Sequence, residues 1–202
     1  MLNGSAILVS AFWRAILYLI TVLLLLYMNL RAPETSALLH NFVSVISQLL
    51  LILIFVSLIT ILKKINERRI IIISFIFYPV ILLFTLANSL IFHNVLTSLP
   101  TVILATFNVI TVINLFIQVF RIKRSYISVY YRLIVITIFA IFTIKLIVPL
   151  LAVLFNHLNN GAHLEGLTRM IPVLSECLYI IIPVGIILMI KKIKFISSAT
   201  NS

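Results

Sequence analysis

The chain has 202 residues, of which 63% are hydrophobic and 9% charged, with a mean hydropathy of +1.30 and a formal net charge of +11. Soluble domains are about half apolar and about a quarter charged, and a soluble fold of this size cannot hide so much apolar surface from water. The composition excludes a soluble globular domain, and a single cysteine, Cys177, excludes an intrachain disulfide and a multi-cysteine metal site.

What remains is an all-α, polytopic integral membrane protein forming one domain over residues 1–202, with the bilayer acting as solvent for its outer faces. A span needs ~20 mostly apolar residues to cross ~30 Å of hydrocarbon. Six stretches qualify, at about 12–30, 42–62, 70–92, 101–120, 133–154 and 171–190. Barrel strands are excluded, because they alternate apolar and polar residues, whereas runs such as IIIISFIF and LLLILIFV are apolar at every position.

The first span carries Trp13 and Arg14, a pair suited to the membrane interface, where Trp prefers to sit and Arg snorkels. It has neither a basic segment before it nor an A-x-A-like site after it, so it reads as a retained span rather than a signal peptide. The second span ends in ILKKINERRIIII, which brings in Lys63, Lys64, Arg68 and Arg69. The third offers Ser74, Tyr78, Thr85 and Asn88, with Pro79 among them.

In the fourth span Thr101, Ala105, Asn108, Thr111, Asn114 and Gln118 recur at spacings of three and four, placing them on one helical face. Val102, Leu115 and Val119 are expected on the opposite, aliphatic face. Such polar stripes line a hydrated pathway, or they join helices by hydrogen bonds worth ~0.6 kcal/mol each. The connection RIKRSYISVYYR then supplies Arg121, Lys123, Arg124 and Arg132. Its Tyr126, Tyr130 and Tyr131 suit an aromatic belt at headgroup level or, alternatively, a short amphipathic docking helix.

Lys145 stands near the middle of the fifth span, in IFTIKLIVPL, where a lysine costs at least ~2.5 kcal/mol on insertion scales. Its evident counter-charge is Glu176 of the sixth span, although the two side chains are not expected to meet cleanly; water or a carbonyl released by Pro149 are other partners. The sixth span also carries Pro172, Tyr179 and Pro183, and it ends at Lys191, Lys192 and Lys194.

Three connections thus hold eleven basic residues, and the other three hold only Arg31 and Arg169. This positive-inside bias predicts six helices in three hairpins with both termini cytoplasmic. The expected partners are anionic headgroups on the cytoplasmic side, with a membrane or cytoplasmic protein as a further expectation, in a plasma or bacterial inner membrane. Nucleic acid is not expected, because the basic residues form short clusters beside spans rather than one continuous face.

His40, His93, His157 and His163 all fall at the other ends of the spans. Imidazoles and carboxylates together suit zinc, copper or haem, but there is no HExxH and no pair of histidines four apart, so no cofactor is expected. His157 and His163, within NHLNNGAHLEG, are the pair a loop could bring together. No GxSxG, Walker A or GxGxxG motif occurs, and the chain contains no aspartate. The leading expectation is a small permease or membrane component of a transport system. The alternatives are a membrane sensor or interaction protein, and a membrane enzyme or metal or haem protein using the outer histidines.

Overall fold

The computed structural model describes residues 3–31, 37–91, 98–123, 125–158 and 165–199. These form helices α1 (Asn3–Leu30), α2 (Ala37–Lys64), α3 (Arg69–Ile91), α4 (Ser98–Val119), α5 (Ser125–Leu158), α6 (Glu165–Tyr179) and α7 (Ile181–Ala199), and no strand occurs among the described residues. Lipid offers no partner for backbone polar groups, so each crossing segment satisfies its own as a helix. Five segments are long and apolar enough to cross a membrane: α1, α2, α3, α5, and the α6–α7 pair over Met170–Lys194. The apolar part of α4, Ile103–Val119, is shorter.

Two boundaries differ from the expectation. The fifth span starts at Ser125, not near 133, because Ile127, Ser128 and Tyr131 turn one face of the connection into the bundle and let the helix continue. The sixth span is two helices. Pro183 has no N–H to give the carbonyl of Tyr179, and the helix is interrupted at Ile180, with only a long 3.4 Å bond from Val184 N–H to Ile180 O bridging the break. Pro79 and Pro149 do not interrupt α3 or α5.

The turn after α2 is closed by backbone geometry. Asn66 adopts φ 53°, while its N–H bonds to Lys63 O and the N–H of Glu67 bonds to Leu62 O, both at 3.1 Å. This is a Schellman stop with asparagine in the left-handed position. It turns Glu67 inward, where it is only 8% exposed, and Oε1 accepts the N–H of Lys123 at 3.2 Å. One carboxylate therefore fastens the α2–α3 turn to the α4–α5 turn. The exposed bases Lys63, Lys64, Arg68, Arg69, Arg121 and Lys123 cluster around this joint. Arg132 is half-buried, with its guanidinium 5.4 Å from the centroid of the Phe120 ring. Lys191, Lys192 and Lys194 on α7 are exposed, and Arg124 lies outside the described residues. We refer to this side as the basic end.

Each helix packs against the next in the chain, and α6 and α7 pack back on α1, so the six crossing segments form a closed ring. In the half toward the basic end, a plug fills the middle of the ring. Phe55, Phe75 and Tyr131 are fully buried there; Phe55 lies 4.6 Å from Tyr78 and Phe75 meets Tyr131 edge to face at 5.4 Å between centroids. Tyr131 reaches across from α5 and donates to Leu58 O on α2 at 2.7 Å. Tyr131 is thus a core residue and not part of an aromatic belt. Tyr126 and Tyr130 are half-buried against the same core.

The inner face of α1, Ala11, Ala15, Tyr18 and Val22, follows the three-and-four spacing of a helix stripe. Arg14 does not simply snorkel to an interface. Its Nη1 donates to Ser57 Oγ at 2.7 Å and Leu53 O at 3.2 Å on α2, while the neighbouring Trp13 is 59% exposed on the outside. On α4 the aliphatic face expected opposite the polar stripe is misplaced: Leu115 and Val119 are fully buried, and Phe107, Ile110, Ile113 and Ile117 are the exposed side chains. At 100° per residue Leu115 and Val119 fall beside Thr111 and Gln118, so the polar stripe occupies one flank of the buried face. Val102 and Thr101 contribute no described side chain.

Candidate functional site within the helix ring

Beyond the plug, away from the basic end, the ring encloses a cavity of ≈ 320 Å³. Its polar walls are Gln48 of α2, Tyr78 and Thr85 of α3, Asn108 of α4, Lys145 of α5 and Tyr179 of α6. Leu51, Leu82, Val112, Ile138, Ile141, Phe142 and Leu146 supply the apolar remainder. The walls toward the basic end (Leu51, Tyr78, Val112, Ile138 and Ile141) are buried, whereas Thr85, Lys145 and Leu146 are exposed. The cavity is therefore a cup with its floor on the plug and its mouth facing away from the basic end. At the helical rise, Tyr78 lies about 13 Å beyond Arg69 and Thr85 about 24 Å, within the depth of a bilayer.

Lys145 is the only charged wall among the described residues. It lies about 30 Å along the helix from Ser125 and about 20 Å from Leu158, beside the mouth of the cup. Its Nζ sits 5.2 Å from the centroid of the Tyr179 ring, a cation–π distance. Glu176, one turn earlier on α6, feels the lysine's charge, but the two form no ion pair among the described residues. Glu176 Oε2 is buried without a hydrogen-bond partner among the described residues. Behind it, Tyr18 of α1 is fully buried, has Ser47 of α2 beside its hydroxyl and lies within electrostatic reach of Glu176, Tyr78 and Tyr179. All six spans therefore send at least one polar side chain into the region around the cup.

The remaining intramembrane polar residues separate into two groups. Asn108 lines the cavity, whereas Asn114 lies toward the basic end and donates through Nδ2 to Ser74 Oγ on α3 at 3.0 Å. Ser74 passes that bond on to Ile70 O at 2.9 Å. Thr111 is buried but is not a cavity wall, and Gln118, deeper still, is buried with Oε1 unpartnered among the described residues. The stripe on α4 is thus divided between the cup and helix–helix contacts.

His40 sits on α2 with Nε2 3.0 Å from Asn29 Oδ1 of α1. His93 and His163 lie outside the described residues, and so does the side chain of His157. Among the described residues, no group of three or more His, Cys, Asp or Glu side chains gathers.

Sequence reasoning drew the polar faces of spans three to six and missed Tyr18, Ser47 and Gln48. The available signal was that Tyr18 stands alone in an aliphatic run and that Ser47 and Gln48, with Ser44, recur at helical spacing on one face of span two. No family model matches the chain, and no curated protein or solved structure matches it either.

Proposed function

We propose that the protein is a small permease, or the membrane component of a transport system, which takes a small solute into the cup between its helices. The observation that carries this reading is the cavity itself: a hollow inside an apolar ring with six polar side chains among its walls and a lysine at its mouth. An ionisable group at membrane depth is costly and is kept where it faces a cavity or a pathway. The Phe55–Phe75–Tyr78–Tyr131 plug seals the far side of the cup, as alternating access requires of a state open to one side only. The break at Ile180 lies directly beside Tyr179, a cup wall, and broken helices at binding sites are a recurring transporter device.

In the same reading the basic end is cytoplasmic, where its exposed lysines and arginines meet anionic headgroups, and the cup opens outward across a plasma or bacterial inner membrane. The test is uptake by proteoliposomes offered a panel of radiolabelled carboxylates, amines and sugars. Lys145→Met and Glu176→Gln should each abolish the flux of the transported solute while the amount of folded protein is unchanged. Folded wild-type protein that moves none of the panel, or variants that lose folding instead of flux, would count against transport.

A further inference from the structure

From the geometry of the cup we infer its ligand class: a small organic monoanion, a carboxylate on a compact apolar or aromatic body. The inference rests on the cup being a binding site, as proposed above, but not on that site serving transport. Lys145 contributes the only charge among the cavity walls, and its ammonium makes no ion pair or hydrogen bond among the described residues. Glu176, the carboxylate that interacts with Lys145 among the described residues, is not a wall. A cation facing a hollow at membrane depth leaves the position beside it suited to an anion.

The other walls define the rest of the molecule. Tyr78 and Tyr179 present phenol rings, while Leu51, Leu82, Val112, Ile138, Ile141 and Phe142 form a continuous apolar surface around the floor. Gln48, Asn108 and Thr85 are neutral and accept or donate hydrogen bonds from the sides. Charge therefore belongs at the mouth and apolar mass at the floor. A volume of ≈ 320 Å³ equals about ten water molecules of liquid, which suits a solute of roughly ten to fifteen non-hydrogen atoms. A dianion would leave its second charge against aliphatic walls. A cation would sit beside Lys145 with no carboxylate among the walls to receive it.

A matched series that shares one ring tests the inference on full-length protein in detergent: phenylacetate, phenylalanine, 2-phenylethylamine and 2-phenylethanol. Isothermal titration and thermal shift are read for each, with Lys145→Met as the background for partition into the micelle. Phenylacetate should bind about 10- to 100-fold more tightly than 2-phenylethanol, the range expected for one hydrogen bond to a charged group. Lys145→Arg should retain the preference and Lys145→Met should lose it. Tighter binding of the amine or the zwitterion, equal binding across the series, or an undiminished preference in Lys145→Met would overturn the assignment. If Lys145→Met does not fold, the wild-type series decides alone. Anion-selective binding without flux would leave this inference standing and remove the permease reading; flux of solutes without anion preference would do the reverse.

Discussion

Tyr131 is the side chain through which the plug spans the ring, and its removal in two steps separates packing from hydrogen bonding. Tyr131→Phe deletes only the 2.7 Å bond to Leu58 O. That carbonyl keeps its own helical donor, so nothing is orphaned and the loss is that of one interhelical bond in a bilayer, about 0.6 kcal/mol. Tyr131→Ala deletes the ring as well. Lipid is as apolar as the plug, so transfer out of the core adds little. The hole, about 100 Å³ at about 24 cal/mol per Å³, costs roughly 2.4 kcal/mol. Losing the edge-to-face contact with Phe75 adds about 0.5–1.5 kcal/mol. The alanine variant should therefore lie roughly 3 kcal/mol or more below the phenylalanine variant. Unfolding by SDS in mixed micelles, followed by near-ultraviolet circular dichroism, measures the gap and reports on the plug's aromatic rings directly. Equal losses in the two variants would refute the reasoning, because the ring would then contribute nothing by filling the centre.

Other consequences are open to simpler measurements. Asn66→Gly should be at least as stable as wild type in the same micelle assay, whereas Asn66→Val should lose about 1–2 kcal/mol, since a left-handed backbone at this position is nearly free only for glycine. A double-mutant cycle on Asn114→Ala and Ser74→Ala should return a coupling of about 0.6 kcal/mol; a coupling of zero would mean that the two do not meet in the bilayer. Glu67→Ala should raise hydrogen exchange at the Lys123 amide by about tenfold or more, because that N–H loses its acceptor. Unchanged protection would show that the joint between the two turns is held by something else.

How much of this was legible depends on where contrast exists along the chain. Hydrophobic length alone located the crossings, and the basic connections marked the turns that Glu67 ties together, because a charge beside a run of isoleucine is unmistakable. The inward face of α2 toward the basic end was not legible. That stretch is apolar nearly all round, so Phe55 and Leu58, which are buried, look no different in sequence from Leu53 and Val56, which are exposed. On α4 the polar residues marked one flank, and simple opposition then assigned Leu115 and Val119 to the wrong side. The cup was partly visible through Asn108, Lys145, Tyr78, Thr85 and Tyr179. Gln48 and Tyr18 joined it only through ring closure, a relation between distant helices on which no local period bears. Lys145 and Glu176 were sound as a neighbourhood but not as a pair, since the lysine turns to the Tyr179 ring instead.

The closed ring also has a history written into it. Its seam joins α1 to α6 and α7, the earliest of the described crossings to the latest. Until that final crossing arrives, the first five make a horseshoe, and the side of α1 that will meet α6 and α7 waits against lipid. Ser47, beside the Tyr18 hydroxyl, is already in place, because it comes from α2, the next helix to be made. The last joint to form during synthesis is therefore also the one that α1 can release without breaking any neighbour made before it.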